Sequence, residues 1–371
     1  MLKSAAAPRA LLFYLHALAA GGAERVWARL ASGFAARGDR VVFVVDFEAE
    51  ETLPFLSRDV ALEVLPRGHG RATLALARLI AAHRPDASLS ALAASNLKHA
   101  FAAALARRAD RAIVSYHGFS ASEPERLSRI GYRLMPLVSR LSAATVAVSG
   151  GLSADLVARF AVPPARAHVI HNPAAPEPFP APLAAVALAA RPPIVVAVGR
   201  LVPDKDYVTL LRAFARLEDG AARLVILGEG PLRSELEAEA RALGVADRVE
   251  MPGYSTDVGA RLEAARCLVV SSRREAFSLA CVEGLAHGLP IVATACGGPE
   301  EILTAPQLGA LVPVGDVAAV ARGLAAALAD PGDPAPRQAR ARDFSLVAAL
   351  DRYDALIGEV IRHARSPASG R

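Results

Sequence analysis

Ser271-Ser272-Arg273-Arg274-Glu275-Ala276-Phe277-Ser278-Leu279-Ala280-Cys281-Val282-Glu283-Gly284-Leu285-Ala286-His287-Gly288-Leu289-Pro290-Ile291-Val292-Ala293-Thr294 reads, in order, as strand, loop, helix, turn and strand. The strand runs are apolar throughout rather than alternating, which fits strands covered on both faces, as in a parallel sheet with crossover helices. The same rhythm extends outward through Ile194 to Val198, Arg223 to Leu227, Arg248 to Met251, Cys267 to Ser271, Ile291 to Thr294 and Ala310 to Val312. Helical patterns such as Tyr207 to Leu217 and Pro231 to Leu243 separate these runs. An earlier series comprises Ala10 to His16, Arg40 to Val45, Val60 to Leu65, Ala112 to Tyr116, Thr145 to Ser149 and His168 to Ile170. Two doubly wound α/β domains follow, with ligands expected beyond the carboxyl ends of the strands.

The expected boundaries are a first domain over 1–172, a linker over 173–193, a second domain over 194–343, and a terminal helix with tail over 344–371. The linker rests on prolines at 173, 176, 178, 180, 182, 192 and 193, too many to continue a helix or a central strand. A polar Pro/Gly stretch, Asp330 to Arg337, precedes the terminal helix, whose apolar residues Leu346, Leu350, Tyr353, Ile357 and Ile361 recur near helical spacing. The tail from Arg365 is expected to fray.

Composition excludes a small binding module and a disordered chain, because 371 residues with 53% hydrophobic and 21% charged side chains can bury sizeable cores. Up to Pro180, 21 basic residues against 14 acidic leave +7; beyond it, 21 against 23 leave −2. The basic half reads equally as a face for an anionic surface or substrate and as a mildly basic solvated face. Cysteines stand only at 267, 281 and 296, without metal or disulfide spacing, which favours a reducing compartment. Lys3, Arg9 and the apolar run to Ala20 imitate a signal peptide, but cleavage near Ala17-Leu18-Ala19 would destroy the first strand-like run, so that reading is set aside. No apolar run approaches the ~20 residues that span a bilayer.

Within the opening segment, Glu275 stands just before the helix and Glu283 in its second turn, so two carboxylates can address one elongated ligand. The backbone N–H groups of Phe277, Ser278 and Leu279 lie where unpaired donors suit an oxyanion. A bare Glu-x7-Glu is common by chance, and context decides. This segment, with Ala295-Cys296-Gly297-Gly298-Pro299-Glu300-Glu301-Ile302, resembles the retaining glycosyltransferases of family 4, which have the GT-B fold: two Rossmann-like domains facing each other across a cleft. The resemblance covers nearly the whole chain. It includes Leu18-Ala19-Ala20-Gly21-Gly22-Ala23-Glu24-Arg25-Val26, Val148-Ser149, Val169-Ile170-His171-Asn172-Pro173, Val198-Gly199-Arg200-Leu201 with Lys205, and Leu227-Gly228-Glu229-Gly230-Pro231.

The resemblance implies a nucleoside diphosphate sugar donor held mainly by the second domain, an acceptor bound by the first, and a terminal helix that crosses back toward the first domain. Arg200 and Lys205, with Gly22, Ser278 and Leu279, would meet the diphosphate; neutralising that leaving group lowers the cost of breaking the anomeric C–O bond. Glu283 would accept hydrogen bonds from ribose hydroxyls, as a carboxylate suits a vicinal diol. Glu275, Phe277 and His117 would surround the transferred sugar, Glu275 and His117 as catalytic residues. Gly228, Gly253 and Tyr254 would lie near the base, although glycine at a strand-to-helix turn has the same pattern without a ligand. Gly21, Gly22 and Glu24 would form an acceptor-side loop; a glutamate at a helix start also answers the dipole unaided. Ala276 departs from the family's usual glycine, which implies either a narrower sugar pocket or a different donor choice.

No cofactor and no metal are expected, the sugar nucleotide being a substrate. Asp204-Lys205-Asp206 formally reads DxD, the metal motif of a different glycosyltransferase fold, yet its centre is the phosphate-binding lysine. Arg126, Arg129, Arg133 and Arg140 recur with Leu127, Ile130, Leu134 and Leu137, fitting either an ordinary surface helix or a basic face on an anionic membrane. The expected activity is metal-independent, retaining transfer of a hexose or N-acetylhexosamine, UDP first among donors, to a saccharide or lipid-linked saccharide in cell-surface glycan synthesis. It would proceed by same-face attack, with the departing phosphate helping to take the acceptor proton. A sugar-nucleotide 2-epimerase and a catalytically silent subunit that binds a sugar nucleotide or a partner transferase are the alternatives. The expected location is cytoplasmic, with or without contact at the inner face of the membrane, and no nucleic-acid partner is expected.

Overall fold

The computed structural model describes residues 8–19, 21–47, 49, 53–120, 126–255 and 257–365. Lys3, Ala20 and the tail beyond Arg365, each used in the sequence reading, lie outside the described residues.

The chain falls into two units, Met1–Pro173 with Leu346–Arg371, and Ala174–Ser345. In the first, the order is β1 (Ala10–Leu15), α1 (Gly22–Ala36), β2 (Arg40–Val45), β3 (Ala61–Val64), α2 (His69–His83), β4 (Ala87–Ala91), α3 (Ala93–Leu105) and β5 (Ala112–Tyr116). It continues with α4 (Arg126–Arg133), α5 (Met135–Arg140), β6 (Ala144–Ala147), α6 (Gly150–Phe160) and β7 (Ala167–Val169). The strands form one parallel sheet ordered β3-β2-β1-β4-β5-β6-β7. β1, β4 and β5 carry its centre and are buried almost throughout, as both-face coverage requires.

The second unit holds α7 (Ala185–Ala189), β8 (Ile194–Val198), α8 (Tyr207–Phe214), β9 (Arg223–Leu227), α9 (Arg233–Ala242), β10 (Val249–Gly253), α10 (Val258–Ala264) and β11 (Cys267–Val270). Then come α11 (Leu279–Ala286), β12 (Ile291–Thr294), α12 (Gly298–Ile302), β13 (Gly309–Val312), α13 (Val317–Ala329) and α14 (Ala335–Arg342). Its parallel sheet runs β10-β9-β8-β11-β12-β13. The core joins Val195, Ala197, Leu224 and Ile226 of the sheet to Leu210, Phe214 and Leu324 of the helices. Short polar side chains start the helices: Asp206 accepts from Thr209 N–H, and Asp316 from Ala319 N–H.

Several boundaries differ from the sequence reading. β4 was absent from it, since Ala87-Ser88-Leu89-Ser90-Ala91 lacks a long apolar run, yet all five residues are buried. Residues 174–193 belong to the second unit rather than standing between units, and 185–189 are helical. Gln338 explains part of this: its side chain donates to Ala181 O and Ala286 O and accepts from Leu183 N–H. Gln338 lies on α14, where the sequence reading placed only the end of a polar stretch. The terminal helix, expected from the resemblance to cross back toward the first domain, is α15 (Leu346–Arg365) and belongs to the first unit. There Leu350 packs against Gly33, and Arg9 and Arg37 pair with Asp354 and Asp351 at 2.7 and 2.8 Å.

Candidate functional site

In the second unit the strand order reverses between β8 and β11, the point at which open parallel sheets bind ligands. The loops after these two strands meet there. Lys205 Nζ donates to Glu275 Oε1 at 2.5 Å, and Ser272 Oγ donates to the same oxygen at 2.8 Å. Glu275 is fixed through its backbone as well: its N–H donates to Cys296 O at 3.0 Å, and its C=O accepts from Gly298 N–H at 2.8 Å. The lysine loop is tied down separately, Ser271 Oγ donating to Lys205 O at 2.8 Å and Arg273 Nε to Asp206 Oδ2 at 3.0 Å. Side-chain exposure is 25% for Lys205 and 12% for Glu275, so a ligand reaches the pair while most of the carboxylate is shielded.

The glycines line the adjoining strand ends. Gly228 N–H donates to Gly253 O at 2.9 Å, and a Cβ on Gly228 would stand 2.0 Å from Gly199 O. Gly228 (φ +152°) is therefore required for the backbones after β8 and β9 to touch. Arg200, which follows Gly199, is exposed and makes no side-chain hydrogen bond among the described residues. Tyr254 is 59% exposed beyond β10. Ser278 caps α11 by accepting from Cys281 N–H at 3.4 Å, Leu279 is its first residue, and Glu283 sits half-buried in its second turn. Phe277 is buried edge-on against Phe344 at 5.4 Å. Burial pushes the Cys281 thiol up to about 12, so this cysteine is inert beside the site.

In the first unit His117 follows β5. Its Nε2 lies 3.1 Å from Ser115 Oγ and its ring stands edge-on to Trp27 at 5.6 Å, while Nδ1 is buried with no partner among the described residues. Burial brings its pKa down to about 3, so the imidazole is neutral near pH 7. Gly21 and Gly22 open α1, and the Glu24 carboxylate folds back over Gly21, where an added Cβ would lie 1.9 Å from Oε2. That placement answers the helix start, the ligand-free role considered above. Arg126, Arg129, Arg133 and Arg140 are all exposed, on two short helices rather than one; Gly131 lets α4 close onto Ala93 O.

Three elements escaped the sequence reading. Ser272 orients Glu275 from three residues away in the same loop, and Asp206 fixes the lysine loop through Arg273, a role visible only once β8 and β11 are neighbours. Buried Tyr14, Asp46 and Lys98 and the part-exposed His16 form a cluster at the carboxyl ends of β1 and β2. Tyr14 and His16 inside an apolar run, and Asp46 ending another, are the available signals. Among the described residues no three or more His, Cys, Asp or Glu gather as a metal site, and no helix is long and apolar enough to cross a membrane.

Two parallel-sheet Rossmann-like units, the second with a basic and acidic pair at its switch point, define the GT-B class. Residues 20–178 match the family model described as Glycosyltransferase Family 4, and residues 183–344 the one described as Glycosyl transferases group 1. The chain belongs to glycosyltransferase family 4. It is 35% identical over 138 residues to the lipopolysaccharide core biosynthesis glycosyltransferase LpsE of Rhizobium meliloti, covering 37% of this chain and 40% of that protein. It is 30% identical over 183 residues to the N-acetylgalactosamine-N,N'-diacetylbacillosaminyl-diphospho-undecaprenol 4-alpha-N-acetylgalactosaminyltransferase of Campylobacter jejuni, covering 49% and 50%. The aligned stretches thus span two-fifths to half the length of these curated relatives. The crystal structure of Anabaena Alr3699/HepE in complex with UDP superposes with a TM-score of 0.77 at 19% identity, over 94% of this chain and all of that one, a likeness of fold.

Proposed function

We propose that this chain transfers a hexose or N-acetylhexosamine, with retention and without a metal, from a nucleoside diphosphate sugar to a saccharide or lipid-linked saccharide during lipopolysaccharide or related cell-surface glycan synthesis. The contact between Lys205 and Glu275 at the β8–β11 switch point carries this reading. An ammonium for the leaving diphosphate and a carboxylate for the anomeric centre belong side by side in such a transfer, because charge separates there as the C–O bond breaks. Arg200 is the second cation for the diphosphate. Glu283 takes the ribose hydroxyls, Gly228, Gly253 and Tyr254 border the base, and His117, neutral, donates to or accepts from sugar hydroxyls. The acceptor oxygen forms the new bond to the anomeric carbon on the face that the diphosphate leaves, and its proton passes to the departing phosphate.

The UDP bound to Anabaena HepE supports UDP as the first donor to test, and the names of the Rhizobium and Campylobacter relatives support a cell-surface glycan acceptor. Arg126, Arg129, Arg133 and Arg140, with half-exposed Leu134 and Leu137, would seat the enzyme on the inner face of an anionic membrane. Stronger sedimentation with anionic than with neutral liposomes is the expected result; equal sedimentation sinks this seating. For the transfer itself, purified protein is heated with UDP-, GDP- and ADP-sugars in EDTA. A selective rise in Tm with one donor is expected, since a ligand that binds only the native state stabilises it. No rise with any donor, in folded protein, would overturn the donor assignment and favour a silent subunit that binds a partner transferase, or a donor outside the panel. Conversion of the donor without acceptor would favour the epimerase.

A further inference from the structure

The first unit contains a cavity of about 660 Å³ at the carboxyl ends of β1 and β2, walled by His16, Asp46, Phe47, Pro66, Arg67 and His69. A neighbouring cavity of about 410 Å³ shares His16 and His69 and adds Arg126. Volumes of this order suit small-molecule ligands. Among the described residues the one acid in either lining is already engaged: Asp46 accepts from Tyr14 Oη at 2.8 Å, from His16 Nδ1 at 2.5 Å and from Lys98 Nζ. Burial pulls the Asp46 carboxyl up, but the bonds from His16, Lys98 and Tyr14 outweigh it and hold the group below the ordinary carboxylate range. Asp46 therefore stays an anion that fixes the ring of His16, leaving Nε2 on the opposite edge of a side chain 42% exposed. Arg67, His69 and Arg126 are exposed and pair with no acid among the described residues. Phe47, 45% exposed and edge-on to His16 at 4.9 Å, supplies an apolar face of the kind a sugar ring packs against.

We infer that this double cavity recognises a sugar bearing an anionic group, phosphate or carboxylate, with Arg67 and Arg126 as its cations, His69 and His16 as hydrogen-bond partners, and Phe47 against the ring. Asp46 and Lys98 are positioning residues that hold His16. That the anionic sugar is the glycosyl acceptor rests on the proposed function; that the cavity takes an anionic sugar does not.

The probe is glucose 6-phosphate, titrated calorimetrically into the whole chain with excess UDP present, and separately into Lys205→Ala, so that the second unit's phosphate-binding residues do not report. Binding is expected in both. Loss of one charge-assisted hydrogen bond should weaken it by roughly tenfold in Arg67→Ala and again in Arg126→Ala. Both residues are exposed, so these variants should retain the wild-type circular dichroism spectrum. Methyl glucoside and inorganic phosphate should each bind at least tenfold more weakly than glucose 6-phosphate. Equal binding of methyl glucoside overturns the anionic part of the inference, and equal binding of inorganic phosphate overturns the sugar part. Undiminished binding in both arginine variants, or no binding at all, overturns the site. If glucose 6-phosphate binds while no donor raises the Tm, the proposed function falls and this site stands.

Discussion

Lys205 has three ammonium protons, and Glu275 takes one of them. The rest are open to a diphosphate, so one side chain links the leaving group to the carboxylate beside the reacting carbon. Glu275→Ala should therefore leave donor binding nearly intact and cost about 10²–10³ in kcat, while Lys205→Ala should lower both donor affinity and kcat. Donor titration and initial rates on the two variants check this, and normal turnover in both would refute it. Gly228 supports the same edge by absence of bulk. In Gly228→Ala the new Cβ would collide with the Gly199 carbonyl, backbone against backbone, at a φ that L residues rarely adopt. A loss of about 2–4 kcal/mol is expected from strain and overpacking together, read from urea midpoints. The sequence points to Lys205, Glu275 and Gly228 because each sits inside a recognisable motif. Asp206 was illegible, since its contact with Arg273 depends on strands brought together from distant parts of the chain, and Ser272, though only three residues from Glu275, takes its role from the fold of the loop between them.

At the scale of elements, strands covered on both faces announce themselves as unbroken apolar runs, and β2, β5, β8, β9 and β12 begin and end where the sequence placed them. β4 defeats that signal because Ser88 and Ser90 occupy its centre. Their hydroxyls are satisfied from α3: His99 Nδ1 lies 2.8 Å from Ser90 Oγ, His99 Nε2 lies 2.8 Å from Ser88 Oγ, and Ser90 Oγ donates to Asn96 Oδ1. A polar strand is thus buried at little cost, by partners six to eleven residues away that no single-strand pattern reveals. Burial lowers the His99 pKa from 6.5 to about 3. The unfolded chain then binds a proton below pH 6.5 that the folded chain refuses, so stability is full above that pH and declines toward pH 3. The slope due to His99 approaches about 1.4 kcal/mol per pH unit. Denaturant midpoints between pH 7 and 4 should fall more steeply for the native protein than for His99→Gln, and parallel slopes would contradict the assignment.

On the scale of the whole molecule, chain order and unit membership disagree at one end: α15 returns to the first unit after the entire second unit has been made. It brings Leu350, Tyr353, Leu356, Ile357, Val360 and Ile361 into burial, with Tyr353 edge-on to Trp27 at 6.0 Å. At about 1.5–3 kcal/mol for each large apolar side chain, these six contribute on the order of 10 kcal/mol. That matches the whole net stability of a typical domain, about 5–15 kcal/mol. The two salt bridges from Arg9 and Arg37 are partly exposed and add little beside it. The first unit should therefore fail to fold without α15, whereas the second, continuous from Ala174 to Ser345 with its own sheet and core, should fold alone. Expressed separately, residues 174–345 should melt cooperatively, and residues 1–173 should show no cooperative transition. Adding a peptide of residues 346–371 to the 1–173 fragment should restore one, because the burial lost is confined to that helix. A cooperative melt of 1–173 by itself would mean that the sheet from β1 to β7 holds without it, and that α15 is bound to the unit rather than built into it.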